Sequence, residues 1–497
     1  MEKIAVIGLS TLFPGAGSPA EFWQNLLDKT DSRSLADAQQ MGVDPAAYMG
    51  RKGEVDKYYC ISGGYIRDFH PDTEGLSLPP DALSQLDDLY QWSLHVARAA
   101  LVDAGYFNRP ELLRDCGLIL ANLSFPTKHS NHSFLPLYHR TVEATLRRLL
   151  DAPGFSLSPF SPAVPTADED GLISGYPAAL IARALGLGAS FFALDAACAS
   201  SCYAVKLACD YLRAGKAEMM LAGAVSAADP WFVNMGFSIF QAYPANGISA
   251  PLDKNSQGLF ASEGAGMLVL KRYRDAVRDG DPVYALIRGG ALSNDGKGEF
   301  VLSPSSRGQV LAYERAYADA DLAPAMVDYV ECHATGTPKG DRVELNSMET
   351  FFSRHQAHPR LGSAKSNLGH MLTAAGMPSM TKVMLGMNAG LIPPTLNLQQ
   401  PNSSATGYFS SADMPADSLP WPVREDAGPR YAGVSVFGFG GSNAHMVFEQ
   451  MRGQPAQPAQ PTPALPAMAI VGMDAHFGGF DRLAAVRDAL FAGTHAF

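Results

Sequence analysis

Residues 191–201 read Phe-Phe-Ala-Leu-Asp-Ala-Ala-Cys-Ala-Ser-Ser, a short apolar run that meets a cysteine flanked by small residues. The run 191–195 has the character of a strand, and from Ala204 to Leu212 apolar residues recur at helical spacing. Gly215 is a suitable C-terminal stop for that helix. The pattern predicts a strand that turns directly into a helix, with Cys198 at the turn.

The position of Cys198 is one that favours nucleophilic chemistry. Small neighbours let a side chain protrude, and the positive end of a helix favours a thiolate over a thiol. The alternative is a buried, inert cysteine, which is the usual state of a free thiol. We assign Cys202 and Cys209, which lie further along the same helix, to that second class.

Two histidines lie in loops rich in Gly, Thr, Ser and Asn, a composition typical of functional loops. His333 is part of Glu-Cys-His-Ala-Thr-Gly-Thr (331–337), and His370 ends Lys-Ser-Asn-Leu-Gly-His (365–370). Each histidine taken alone is equally well explained by local hydrogen bonding. A third glycine-rich segment, 434–445, predicts a strand, a tight turn and a strand, with a structural His445 in the second strand.

The bulk composition indicates a globular α/β protein. The 497 residues are 47% hydrophobic and 18% charged, with a net charge of −11, which argues against a broad nucleic-acid-binding face. No apolar run approaches the ~18 residues of a membrane span, and the N-terminus lacks the features of a signal peptide. Six cysteines without a CxxC pair argue against a zinc site. We expect a cytoplasmic protein with free thiols and no metal.

The C-terminal part of the sequence changes character. Alternating strand and helix patterns define a first domain over residues 1–450, and a Pro/Ala/Gln tract over 451–467 indicates a linker. Ala-Ile-Val-Gly-Met (469–473) then repeats Ala-Val-Ile-Gly-Leu (5–9), and Phe477 matches Phe13 in the same register. Residues 468–497 therefore read as the truncated start of a second copy of the domain, as expected in a longer multidomain protein.

Together these segments resemble, in order over about residues 2–449, the β-ketoacyl synthase family of fatty-acid and polyketide synthases. The segments that carry the resemblance are Ile4–Gly8, Asp195–Ser201, Pro251–Asp253 with Glu263–Gly266, the two histidine loops and Phe437–Asn443. The chain departs from the family pattern at Ala196, Ala199, Ala334 and Arg342, where Thr, Ser, Gly and Pro are common. These departures spare the reacting groups.

The resemblance implies a thiolase-like fold, in which two similar α/β halves stack as α-β-α-β-α layers, usually in a dimer. It also implies a role for each site residue. Cys198 would be the nucleophile, His333 and His370 the paired imidazoles, Lys365 a buried lysine paired with Glu344, Thr335 and Thr337 contacts for phosphopantetheine, and Phe439 a gate whose backbone N–H joins that of Cys198 in an oxyanion hole.

The implied reaction is a decarboxylative Claisen condensation of a Cys198-bound acyl group with malonyl-carrier protein. No bound cofactor is expected, because the substrates arrive on the phosphopantetheine of an acyl carrier protein. The linker and second copy are similar to bacterial polyunsaturated fatty-acid synthases, in which a ketosynthase precedes a chain-length-factor domain that lacks the cysteine. The expected partners are therefore an acyl carrier protein and either such a domain or a second ketosynthase.

Two other functions fit parts of the sequence. A thioester hydrolase needs one histidine base, which would leave the second histidine loop without a role. A chain-length-determining structural subunit keeps the fold but loses the nucleophile, whereas Cys198, His333 and His370 are all present in residues 1–450.

Overall fold

The computed structural model describes residues 2–158, 167–297, 300, 303–424, 428–452 and 467–494. The chain divides into two compact units, Met1–Gln460 and Pro461–Phe497. Most of the predicted linker, residues 453–466, lies outside the described residues. In the described part of the chain, no helix combines the length and apolar character needed to cross a bilayer.

The strands of the described residues form one large sheet and two small ones. They are β1 Ile4–Leu12, β2 Ser34–Leu35, β3 Ser62–Gly63, β4 Cys116–Asn122, β5 Phe191–Leu194, β6 Met219–Ser226, β7 Gly264–Arg272, β8 Ala285–Asn294, β9 Tyr329–Glu331, β10 Arg360–Gly362, β11 Leu391–Ile392, β12 Leu419–Pro420, β13 Tyr431–Gly438 and β14 Ser442–Glu449.

The same residues contain fifteen α-helices. They are α1 Pro19–Leu27, α2 Ala38–Met41, α3 Pro80–Ser84, α4 Asp88–Asp103, α5 Pro110–Leu113, α6 Lys128–Leu149, α7 Tyr176–Leu185, α8 Ser200–Arg213, α9 Pro230–Ile239, α10 Tyr273–Asp279, α11 Ser306–Ala320, α12 Pro338–Phe352, α13 Lys365–Leu368, α14 Gly376–Ala389 and α15 Leu483–Ala492.

The large sheet is built from two halves with the same topology. Its ten strands run β10-β9-β13-β14-β8-β1-β7-β6-β4-β5. Numbered within each half, both sets of five strands have the spatial order 3-2-4-5-1. The first three strands of that order are parallel to one another, and the other pairings are antiparallel. The halves join where β1 pairs with β8. The expectation of two similar halves is therefore confirmed.

Three hydrophobic cores stack these halves into five layers. One core lies between the two half-sheets and contains α8 and α14, which pack through Ala204, Ala208, Met380 and Met384. A second core joins the outer face of the β1-containing half to α4 and α7, and a third joins the other half to α11 and α12. This α-β-α-β-α order is the layered fold implied by the family resemblance. Strands covered on both faces, such as the fully buried β4, read as continuous apolar runs.

The unit Pro461–Phe497 repeats part of the chain's own beginning. The bridge between Phe13 and Ala16 recurs between Phe477 and Phe480, 464 residues later (477 − 13 = 464). Helix α1 begins at Pro19, and α15 begins at Leu483, again 464 residues later (483 − 19 = 464). The predicted strand at 469–473 is not formed, and its residues Ile470 and Val471 are exposed. A strand needs a partner to pair with, whereas a turn and a helix satisfy their own hydrogen bonds.

Candidate active site

Cys198 lies in the predicted turn between β5 and α8. The turn is held by Asp195, which accepts the N–H of Ala197, and by Ser200, whose Oγ accepts the N–H of Ala196. Ala197 adopts φ +51°, in the left-handed backbone region that residues other than glycine rarely occupy. Such a conformation persists only where the surroundings fix it, and such residues cluster at functional sites. The local sequence therefore presents Cys198 on a sharp, rigid turn.

The glycine-rich hairpin of β13 and β14 packs directly against this turn. Gly438 ends β13, and a Cβ at that position would lie 2.7 Å from the Ala196 carbonyl oxygen and 3.1 Å from the Cys198 nitrogen. Only glycine permits this approach. The approach brings the next residue, Phe439, to Cys198, so that the backbone N–H groups of Phe439 and of Cys198 itself both interact with the sulfur. Two backbone N–H donors therefore converge on the Cys198 sulfur.

The protonation of Cys198 differs from the sequence expectation. Burial raises the pKa of the Cys198 thiol to about 11, although the Phe439 N–H and the charge of Lys365 act in the opposite direction. The side chain is 7% exposed, so water does not solvate a thiolate there. The start of α8 was expected to favour the thiolate. In the free protein the effect of burial is larger than that of the helix end, so Cys198 is a thiol at neutral pH.

The alkylation of Cys198 by iodoacetamide is expected to accelerate about tenfold per pH unit between pH 7 and pH 9, because the thiolate is the reactive species and its fraction rises tenfold per unit below the pKa. Peptide-resolved mass spectrometry after timed exposure measures the rate at this residue. A rate that levels off below pH 8 would contradict the raised pKa.

His370 is held as a neutral imidazole with a defined tautomer. Its Nδ1 accepts the backbone N–H of Leu372 at 3.0 Å, so the ring hydrogen must reside on Nε2. Its own backbone N–H donates to the Phe260 carbonyl at 2.6 Å. Burial, assisted by the charge of Lys365, lowers the pKa of His370 to about 3. His370 is therefore a hydrogen-bond donor at neutral pH and does not act as an acid.

His333 lies beside His370, with ring centroids 5.4 Å apart and ring planes 84° apart. Burial lowers its pKa well below the usual range, and the charge of Lys365 adds to the effect. The backbone N–H groups of His333 and Ala334 each donate to the Glu344 carboxylate at 2.7 Å. Glu344, buried in the second turn of α12, thereby fixes the loop that carries His333.

The expected pair between Lys365 and Glu344 is not formed. Both oxygens of Glu344 accept backbone N–H groups, and Lys365 Nζ has no hydrogen-bond partner among the described residues. The two groups interact only through their charges: burial lowers the pKa of Lys365, and the charges of Glu331 and Glu344 oppose that shift. Glu344 is drawn to the backbone because two converging N–H donors satisfy a carboxylate better than one distant ammonium.

A buried ion pair, which was not anticipated from the sequence, involves Glu331 at the start of this loop. Lys382 Nζ lies 3.0 Å from Glu331 Oε2, and both side chains are fully buried. Glu331 Oε1 accepts the N–H of Ala364 at 2.5 Å, so the pair supports the start of α13, on which Lys365 lies. A lysine and a glutamate 51 positions apart (382 − 331 = 51) carry no local signal that would pair them.

Thr335 and Thr337 lie side by side in the His333 loop. Their Oγ1 atoms are 3.0 Å apart, and Gly336 between them adopts φ +88°. Asp341 fixes this turn by accepting the N–H groups of Gly336 at 3.1 Å and Leu252 at 2.8 Å. The threonine hydroxyls are thus presented as a pair by a rigid turn.

One cavity of about 310 Å³ brings most of the predicted site residues together. Its lining includes Cys198, His333, His370, Glu344, Thr335, Thr337 and Phe439. Lys365 is absent from the lining in the described part of the chain, and it acts on the cavity through its charge. Phe439 is 40% exposed, and its ring centroid lies 6.5 Å from that of Phe237.

The remaining candidates have structural surroundings. Cys202 and Cys209 are fully buried in the central core, as predicted. His445 is fully buried, with Nδ1 3.0 Å from Ser435 Oγ and its ring against Tyr313, so its assignment as a structural residue is confirmed. Within the described ranges, no group of three His, Cys, Asp or Glu residues is arranged to hold a metal ion.

Comparison with known proteins gives concordant matches. The model of the beta-ketoacyl synthase N-terminal domain matches residues 1–276, and that of the C-terminal domain matches residues 284–399. One polyunsaturated fatty acid synthase protein of Thraustochytrium sp. (strain ATCC 26185 / S-3) is 36% identical over 99% of this chain. Another component of that organism's polyunsaturated fatty acid synthase is 33% identical over 90% of it. The chain spans 24% and 16% of those two relatives.

Solved structures match in the same way. A structure titled "PfaC Keto synthase-Chain length factor" is 61% identical, with a TM-score of 0.94, and covers 100% of this chain and 53% of its own. A ketosynthase from module 6 of the bacillaene synthase of Bacillus subtilis 168 is 28% identical, with a TM-score of 0.74 over 91% of this chain and 73% of its own.

Proposed function

The chain belongs to the beta-ketoacyl synthase family, and we propose on that premise that it performs decarboxylative Claisen condensation of a Cys198-bound acyl group with a malonyl thioester. One observation carries the proposal: a single cavity joins a cysteine, under two N–H donors, to two neutral imidazoles. A nucleophile with an oxyanion hole forms an acyl-enzyme, and paired N–H donors stabilise an enolate.

The first step transfers the acyl group to the protein. Cys198 loses its proton as its sulfur attacks the thioester carbonyl, and the resulting oxyanion accepts hydrogen bonds from the N–H groups of Cys198 and Phe439. The C–S bond to the carrier then breaks, and the departing thiolate takes up the proton. The raised pKa of Cys198 keeps this group a thiol in the free enzyme, so its proton is lost only as the sulfur attacks.

The second step generates the carbon nucleophile. The bond between the malonyl α-carbon and its carboxylate breaks, CO₂ leaves, and the electron pair becomes an enolate. His370 Nε2–H is free to donate to the enolate oxygen because Nδ1 is occupied by Leu372, and His333 supplies the second donor. The low pKa values of both rings keep them as neutral donors. No external base is consumed.

The third step joins the two fragments. The enolate carbon attacks the Cys198 thioester, and the same N–H groups hold the new oxyanion. The C–S bond breaks, which releases a β-ketoacyl thioester and returns Cys198 to the thiol after protonation. Burial keeps both imidazoles neutral, the positive charge of Lys365 adds to that effect, and Glu344 positions the His333 backbone.

The proposal extends to carrier, partner and setting. Thr335 and Thr337 would contact the phosphopantetheine of an acyl carrier protein. We assign residues 451–467 to a linker and 468–497 to the start of a chain-length-factor-like domain, because the turn and helix of the chain's beginning recur there and the matched PfaC structure is titled as such a pair. The names of the relatives support polyunsaturated fatty-acid or polyketide synthesis, and six free cysteines support a cytoplasmic setting.

Intact mass spectrometry after incubation with a panel of acyl-carrier thioesters tests the proposal. We expect a mass gain equal to the acyl group on Cys198 alone, because the other five cysteines are buried outside the cavity lining. Addition of malonyl-carrier should then discharge the adduct to a β-ketoacyl thioester with release of CO₂. Release of free acid instead would identify a thioester hydrolase, and absence of any adduct would favour a chain-length-determining role.

A further inference from the structure

Gln309 is a buried polar residue of the cavity to which the steps above give no role. It lies in the first turn of α11, is 1% exposed, and lines the same cavity as Cys198 and His370. Its Oε1 is fully buried and has no hydrogen-bond partner among the described residues. Unpaired buried amides are rare because they forfeit hydration without compensation, so such a group in a cavity wall indicates a missing ligand.

The surroundings of Gln309 hold it in place. The preceding residue, Gly308, packs so closely on Asp295 that a Cβ would lie 2.1 Å from its Oδ1. Asp295 in turn donates its backbone N–H to Gly441 at 3.0 Å and accepts Asn443 Nδ2 at 2.8 Å. The start of α11 is thereby fastened to the hairpin that carries Phe439. The backbone of Gln309 is therefore held as part of the cavity wall.

The position of Gln309 along the cavity favours the substrate's delivery arm. Its backbone N–H donates to Ser305. In the same segment Ser303 accepts Lys339 Nζ at 3.1 Å, at the exposed rim of the cavity. The helix start therefore borders the route from the rim inward. His333 and His370 are assigned to the reacting carbonyl. The part of the substrate that Gln309 would contact is therefore the part that lies between the rim and that carbonyl.

The chemistry of a neutral carboxamide matches an amide. It offers two N–H donors and an acceptor oxygen, and a peptide-type amide offers one of each. The arm of phosphopantetheine contains two such amides, whereas a hydrocarbon acyl chain offers none. We propose that Gln309 binds an amide group of the phosphopantetheine arm that delivers the thioester, an inference that rests on the proposed function.

Two comparisons of wild type with Gln309→Leu test this assignment. Calorimetric titration with pantetheine is expected to show binding about five- to tenfold weaker in the variant, the usual loss for one neutral hydrogen bond. In acyl transfer to Cys198, KM for an acyl-pantetheine thioester should rise by about the same factor, with kcat changed less than about twofold. The ethyl thioester of the same acid, which contains no amide, should show no change.

The variant also separates binding from folding. Leucine is close to glutamine in size and removes an unpaired amide, so the thermal midpoint of Gln309→Leu should equal or exceed that of wild type. Gln39→Leu, the same substitution at an exposed glutamine of α2, serves as the control for the change in composition.

Three outcomes would overturn the inference. Unchanged pantetheine binding and KM would mean that water satisfies the amide. Equal losses with the pantetheine and ethyl thioesters would place Gln309 against the acyl group, and a lowered thermal midpoint would make its role structural. If wild type forms no acyl adduct with any thioester, the proposed reaction fails, while the pantetheine titration still decides the assignment of Gln309.

Discussion

Cys198→Ala is expected to lower the rate of condensation by at least about 10⁴-fold, because the variant has no atom to carry the acyl group between the two half-reactions. Decarboxylation of a malonyl thioester should remain measurable in the same variant, since its donors, His333 and His370, do not depend on the sulfur for their positions. His370 is held by Leu372 and Phe260, and His333 by Glu344. The two products, β-ketoacyl thioester and CO₂, are quantified in parallel by mass spectrometry and by trapping of labelled gas.

Cys202→Ala is the matched control for this substitution. Cys202 lies four residues after Cys198, in the first turn of α8. It is fully buried and packs in the central core outside the cavity lining. The same atoms are removed there, so the variant should lose some stability and keep condensation activity within a fewfold range. A Cys198→Ala protein that still forms the β-ketoacyl product would show that another group carries the acyl chain.

The α/β class of the fold was predictable because buried strands and helices alternate along the sequence. Apolar runs such as Cys116–Asn122 indicate strands covered on both faces, and the alternation with helices indicates layers. The five-layer order itself came from family resemblance, since no local pattern states which half-sheet faces which helix pair. The repeated order 3-2-4-5-1 becomes visible only when long-range strand pairings such as β14 with β8 are known.

The site residues that could be predicted are those that lie in a distinctive local motif. Cys198, His333 and His370 each stand in a distinctive segment of small or glycine-rich residues, and the structure places all three on one cavity. The Lys365–Glu344 pair, which the family resemblance implied, is not formed, because the resemblance does not say whether backbone N–H groups reach the carboxylate first. In the structure they do, from His333 and Ala334.

Other features of the site gave no sequence signal. The close approach that makes Gly438 obligatory depends on a turn more than 200 residues earlier in the chain (438 − 196 = 242). Gln309 reads as an ordinary helix residue, and only its burial beside an open cavity distinguishes it. The sequence predicted a Cys198 thiolate from the nearby helix end, which is a local property. The pKa of the thiol is instead raised by burial, which depends on the whole fold.

His370→Ala is expected to lower the rate of malonyl decarboxylation by about 10²- to 10³-fold, the usual loss when one preorganised donor to a developing oxyanion is removed. Acylation of Cys198 should be affected far less, because the oxyanion of that step accepts from the Phe439 and Cys198 N–H groups. His370→Asn retains a side-chain N–H, so part of the lost rate should return. Released CO₂ and the mass of the acyl-enzyme measure the two half-reactions separately.

The pH dependence of the same reaction distinguishes a donor from an acid–base role. The pKa of His370 is lowered to about 3 and that of His333 well below its usual range, so both rings remain neutral as the pH falls from 8 to 5. Neither imidazole should therefore contribute a bend to the wild-type rate of decarboxylation across this window. Burial raises the pKa of Glu344 and of Asp341, which line the same cavity, so a bend that persists in His370→Asn would belong to those carboxyls. An imidazole acting with an unperturbed pKa near 6.5 would instead produce a bend in the middle of the window. A bend that disappears in His370→Asn would assign titration to His370 and contradict the neutral-donor role derived from its bond with Leu372.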